Sequence, residues 1–147
     1  QQMTNQQTTN EQVVRDACRV VWSEGDMARI SEFYSEDFQA SYPRTDWGQG
    51  LQGIRALAEG IRASFPDYRE QIDELINADD LVIVRLTIRG THSGSLPEFP
   101  ATGKAVEFND VTICRVRDAK IVEQRGLSDH FALYRQLGLI GSVGELG

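Results

Sequence analysis

The chain has 147 residues, enough for one domain with a sizeable core, and its 40% apolar and 25% charged side chains are those of an ordinary globular protein. A net charge of −7 argues against nucleic acid and anionic membranes as partners. No apolar run approaches a membrane span, and the N-terminus has neither the basic nor the apolar region of a signal peptide, so a cytoplasmic protein is expected.

Residues 1–10, QQMTNQQTTN, are polar and uncharged and read as a disordered tail, or as a remnant of cloning ahead of Met3. The domain is expected over 11–140, with 141–147 as a C-terminal tail. Val13, Ala17, Val20 and Val21 recur at helical spacing, which predicts a first helix from near Asn10 to Glu24, stopped by Gly25. Asp26 caps a second helix, whose Ile30, Phe33 and Tyr34 share a face. Phe38–Tyr42 reads as a short extended segment. The glycine-rich WGQGLQG at 47–53 lacks the ending of a phosphate loop. A third helix follows, with Ile54, Leu57, Ile61 and Phe65 as its apolar stripe.

The period then changes from helical to two. Tyr68–Ala78, Leu81–His92, Ala105–Arg117 and Lys120–Ser128 read as four strands, and the short Asp79-Asp80 and Asp118-Ala119 links predict antiparallel hairpins. A short helix over His130–Leu137 closes the domain, with Gly138 as its stop. Three helices followed by a meander predict an α+β domain, its helices covering one face of a curved antiparallel sheet. Cys18 and Cys114 show no C-x-x-C spacing and read as reduced core thiols; no ligand spacing for a metal is present.

Strict alternation along Lys120–Ser128 places Ile121, Glu123, Arg125, Leu127 and Asp129 on one face. Asp129 then has two readings. It is the N-cap of the last helix, or a carboxyl at the end of an apolar face, where burial would raise its pKa and suit it to moving protons. His92, where a strand meets the loop 93–104, is a candidate donor or second base, or a histidine bonding loop backbone. Arg125 lies roughly 13 Å from Asp129 along the strand, so it binds the far end of a ligand or pairs with a surface glutamate. Tyr34, Trp47, Phe65, Phe99 and Phe108 are candidate pocket walls, Trp47 and Phe99 because they sit in loops.

Ile54-Arg55, Phe65-Pro66-Asp67, Gly90-Thr91-His92, Ala101-Thr102-Gly103-Lys104, Lys120-Ile121-Val122-Glu123, Asp129 and Gln136-Leu137-Gly138 occur in an order and spacing that resembles the SnoaL-like polyketide cyclase family, within the nuclear-transport-factor-2-like superfamily. The resemblance spans about residues 11–138. It implies a cone-shaped α+β barrel enclosing an apolar pocket, and cofactor-free acid/base chemistry, an intramolecular aldol closure of a polyketide-like ring, with Asp129 at the family's catalytic aspartate. Two positions depart from the family pattern. Arg125 stands where a tryptophan is common, and Thr112 where a histidine is common. The same resemblance implies alternatives: hydroxylation of such a ring, or non-catalytic binding of a small apolar ligand. It also implies a homodimer or higher homo-oligomer through the outer sheet face, where Arg85, Arg89, Arg115 and Arg117 are expected.

Overall fold

The computed structural model describes residues 3–42, 46–95 and 100–141. Helix α1 (Asn5–Ala17) starts earlier than the polar composition of residues 1–10 suggests. Thr4 and Gln7 form a reciprocal capping box that satisfies the first free amides, and Asn10 is already buried. The helix widens into a π-helical turn at Cys18–Ser23, and a 3-10 turn at Met27–Arg29 leads into the single-turn α2 (Ile30–Phe33). Tyr34, expected on a helix face, instead opens strand β1 (Tyr34–Ser41). Helix α3 (Gly50–Ser64) is followed by β2 (Arg69–Ala78), β3 (Leu81–Thr91), β4 (Ala105–Arg117), β5 (Lys120–Ser128) and α4 (His130–Gln136).

The sheet has five strands in the order β1-β5-β4-β3-β2. The four strands β2 to β5 pair antiparallel, through turns in which Asp79, Asp118 and Ala119 take positive φ. The expectation of a wholly antiparallel sheet needs one correction: β1 pairs parallel with β5, Tyr34 opposite Ile121 and Gln39 opposite Glu123. One helix and three strands separate β1 from β5 in sequence, a distance over which short-range patterning carries no pairing direction.

The inner face of the sheet carries Val82, Val84, Leu86 and Ile88 from β3 and Val106, Cys114 and Val116 from β4, all buried against Val14, Val20, Val21 and Ile54. The outer face carries arginine–carboxylate pairs, beside the exposed apolar Ile76, Val111 and Leu127. Arg85 pairs with Asp73 and Glu74, Arg89 with Glu107, Arg115 with Asp80 and Glu123, and Arg117 with Asp80. Helices on one side and charge on the other define a two-layer α+β fold with its core between the layers.

Arg62 ties the layers together at one end. Its guanidinium donates to the carbonyls of Trp22, Ser23, Tyr68 and Pro66 at 3.0–3.2 Å, joining α3, the π-helical turn and the start of β2. Gly25 leaves the space this side chain occupies: a Cβ there would lie 2.4 Å from Arg62 Nε.

Candidate active site

The concave face of the sheet, α1 and α3 enclose a cavity of about 940 Å³, a size that suits a multi-ring small molecule. Tyr34, Trp47, Phe65 and Phe108 line it, as does Thr112, and Asp129 stands on its rim. Phe99 lies outside the described residues.

The aromatic wall is built by close packing. Trp47 stacks on Tyr42 at 4.7 Å between ring centroids and 12° between planes, and it meets Trp22 edge-on at 5.7 Å. Glycines make these approaches possible. A Cβ on Gly53 would lie 2.1 Å from the Trp47 carbonyl oxygen, and one on Gly126 would lie 2.9 Å from the Tyr42 ring. Trp22 Nε1 donates to the Tyr34 hydroxyl at 2.7 Å, so the buried ring nitrogen is satisfied.

Strand β5 does not alternate strictly. Val116 pairs with Ile121 but Arg115 pairs with Glu123, so Val122 is an extra residue, a β-bulge. Beyond it every side chain changes face. Gln124 is buried, Gly126 lies under Tyr42 and Ser128 lines the cavity, whereas Glu123, Arg125 and Leu127 are exposed. Arg125 therefore faces a small surface depression with Gln39 and Ser41, and it does not reach the cavity.

Asp129 lies one residue past β5. Its Oδ1 accepts from the Ala132 amide at 3.0 Å as the N-cap of α4, and its own amide donates to the Asn109 carbonyl. The cap and the cavity rim are thus the same residue. Its side chain is exposed rather than buried, because α4 begins at the cavity mouth.

His92 is fully buried, but behind Phe65, 5.3 Å between ring centroids, and outside the cavity lining. Its Nδ1 accepts from the Thr102 amide at 3.3 Å and lies 3.0 Å from Thr102 Oγ1. A nitrogen that accepts from an amide carries no proton, so in the neutral ring Nε2 holds it, and Nε2 has no partner among the described residues. The ring fastens the two ends of loop 93–104, as do the His92 amide bond to the Lys104 carbonyl and the Gly103 amide bond to the His92 carbonyl. This geometry is that of a loop anchor.

Two carboxyls that sequence reasoning passed over face inward. Asp110 is buried on β4; Thr112 Oγ1 donates to its Oδ1 at 2.5 Å, and Ser128 Oγ donates to its Oδ2. Because the Thr112 proton goes to Asp110, the Tyr42 hydroxyl donates to Thr112 at 2.9 Å, and Gln124 Nε2 donates to Tyr42 at 3.0 Å. The result is a directed chain of donors ending on Asp110. Burial raises the Asp110 carboxyl above its ordinary range, and the Ser128 and Thr112 hydroxyls offset only part of that rise. Glu70 lines the cavity from β2 and accepts from the Tyr68 hydroxyl at 2.8 Å. The protein packed round it pushes its pKa up to about 8. Both positions interrupt apolar, inward-facing alternation: Val106, Phe108, Asp110, Thr112, Cys114 on β4, and Tyr68, Glu70, Ile72 leading into β2. A polar residue breaking such a face was the available signal.

A two-layer α+β cone with a roomy apolar cavity and carboxyls on its wall and rim defines a class of small-molecule enzyme fold. The profile of the SnoaL-like polyketide cyclases matches residues 12–137, and the chain belongs to that family. It is 37% identical over 92 residues to the aklanonic acid methyl ester cyclase DnrD of Streptomyces peucetius, covering 61% of this chain and 63% of DnrD. A second such cyclase, DauD of Streptomyces sp. (strain C5), is 37% identical over 57 residues, covering 39% of this chain and 35% of DauD. The chain thus aligns with under two thirds of the length of these relatives. Among solved structures, a candidate SnoaL-like polyketide cyclase from Jannaschia sp. CCS1 superposes with a TM-score of 0.86 at 20% identity, covering 96% of this chain and 99% of that one.

Proposed function

We propose that this chain closes a ring in a polyketide-type substrate by an intramolecular aldol reaction, with Asp129 as the base. The observation that carries this reading is the position of Asp129 on the rim of an apolar cavity of about 940 Å³: one carboxylate oxygen caps α4, and the other has no protein partner among the described residues. The likeness to DnrD, an aklanonic acid methyl ester cyclase, supports a substrate of that class.

The chemistry follows from the setting. Asp129 takes a proton from a carbon flanked by carbonyls, whose acidity a weak base can match. The resulting enolate carbon attacks a carbonyl of the same molecule. One carbon–carbon bond forms, and the new alkoxide takes the proton back, so substrate and product are isomers. A substrate filling the cavity displaces water from the rim where Asp129 stands. Asp110 acts as a positioning residue. It holds Ser128, the neighbour of Asp129, while the Asp129 amide is held by Asn109. Hydroxylation remains the competing family reaction, and a homodimer belongs to the same reading.

The test is a product assay with aklanonic acid methyl ester. Ring closure gives a product of unchanged mass without oxygen uptake. A product heavier by one oxygen atom would establish the hydroxylase instead, and binding without turnover would leave a ligand carrier.

A further inference from the structure

Glu70 and Asp110 enter the cavity from the two strands that flank β3. Glu70 pairs with Ile88, and Asp110 pairs with Leu86. The two backbones are therefore two strand spacings apart, about 10 Å, with a two-residue offset along β3. Their surroundings differ. Asp110 receives hydroxyl protons on both of its oxygens, from Thr112 and Ser128. Glu70 receives one hydroxyl proton, from Tyr68, with the Cys18 thiol as a weaker second donor.

The other groups facing Glu70 are Cys18 from the π-helical turn, Tyr34 from β1, and Cys114 and Asp110 from β4. Burial holds the two thiols and the phenol in their protonated forms, so none of them is a cation. Among the described residues, no ion pair includes Glu70 or Asp110; of the basic residues bordering the cavity, Arg89 is paired with Glu107, and His130 acts on Asp110 and not on Glu70. A carboxylate with no paired cation, one hydroxyl donor and one weak thiol donor, in an apolar wall that already holds a better-satisfied carboxyl, is the one that keeps its proton. Two carboxyls whose settings differ in this way divide into an acid and a base form.

We propose that Glu70 is a neutral carboxylic acid that donates a hydrogen bond from the cavity wall to a carbonyl oxygen on the polycyclic ring system of the substrate. Tyr68 occupies Glu70 Oε2 as a donor, and Glu70 itself lines the cavity. The site thus recognises a quinone- or ketone-type oxygen within the cavity, away from the rim where Asp129 stands. The proposal rests on the reading of the cavity as the substrate chamber and adds the group by which it tells an oxygenated ring from a bare hydrocarbon. Recognition holds only while Glu70 keeps its proton. Burial, reinforced by Asp110, places the loss of that proton near pH 8.

The experiment titrates wild type and Glu70→Gln with 9,10-anthraquinone and with anthracene, following the fluorescence of Trp22 and Trp47, which line the cavity. Neither probe has a titratable proton, so any inflection belongs to the protein. Wild type is expected to prefer anthraquinone and to lose about tenfold in its affinity between about pH 6.5 and about pH 9.5, while anthracene binding stays flat. Glu70→Gln, whose amide donates at every pH, is expected to keep the preference without the inflection. A flat anthraquinone profile in wild type, or the same inflection in Glu70→Gln, overturns the proposal and leaves the cyclase reading intact. Failure of both probes to bind wild type overturns the cavity reading and the proposal together. Should Glu70→Gln not fold, difference infrared spectra of wild type decide. The protonated carboxyl band must vanish through the same pH range and shift with anthraquinone but not with anthracene; a band that does neither overturns the proposal.

Discussion

Thr112 donates its hydroxyl to Asp110 across 2.5 Å, and this bond makes the Tyr42 hydroxyl the donor in its own contact with Thr112. Thr112→Val removes one of two donors from a buried carboxyl while keeping the side chain's shape. The expected cost is about 1–2 kcal/mol in chemical denaturation near neutral pH, from a carboxylate left half-satisfied. Asp110→Asn is expected to lower kcat by about tenfold with a smaller change in KM, because its main effect is to loosen Ser128 beside Asp129. An unchanged kcat in a folded Asp110→Asn protein would remove Asp110 from the positioning role.

Glu70 makes stability fall as pH rises. Its folded pKa is raised to about 8 from an ordinary value of 4.5. Between those values the unfolded chain releases the proton that the folded chain keeps, so unfolding is favoured progressively until the folded pKa is passed. Glu70→Gln is therefore expected to gain stability relative to wild type as pH rises from about 5 to about 8, by a few kcal/mol in total, with a pH-independent difference below the lower limit. Urea melts at several pH values check this; parallel wild-type and variant curves would contradict it.

Arg62 is expected to be irreplaceable by lysine. Its fork reaches the carbonyls of Trp22, Ser23, Tyr68 and Pro66 together, which a single ammonium cannot do. Arg62→Lys should cost about 2–3 kcal/mol, because partly buried carbonyls lose their donors. It should also disturb the cavity, since Trp22 and Tyr68 both line it. Thermal unfolding and anthraquinone affinity measure the two effects, and a variant as stable as wild type would contradict the assignment.

The helices and hairpins were legible because their signals are local. The 3.6 period over Ile54–Ile61, the two-residue turns at Asp79-Asp80 and Asp118-Ala119, and Gly138 with φ 78° after α4 each depend on a few adjacent residues. The parallel pairing of β1 was not legible, since it joins segments about eighty residues apart. The bulge at Val122 was not legible either: one inserted residue leaves the apolar pattern of KIVEQRGLS plausible in both registers, yet it sends Arg125 outward and Gln124 inward. Trp47, Phe65 and Phe108 were found as wall residues because aromatic side chains beside loops and inward positions have few other places to go. His92 shows the limit of residue type as a guide. Its chemistry suits a base, but loop 93–104 needs an internal acceptor, and the ring serves there. Asp110 and Glu70 were readable as polar breaks in inward faces, but composition does not say that such a break faces a cavity rather than a solid core.

The catalytic claim comes down to one carboxylate at the cavity mouth. The direct measurement is kcat/KM for aklanonic acid methyl ester with wild type and Asp129→Asn, after circular dichroism shows both folded. The asparagine keeps the side-chain oxygen that accepts from the Ala132 amide, so α4 keeps its cap. The expected result is a loss of about a thousandfold at nearly unchanged substrate affinity; turnover within a few-fold of wild type would contradict the account.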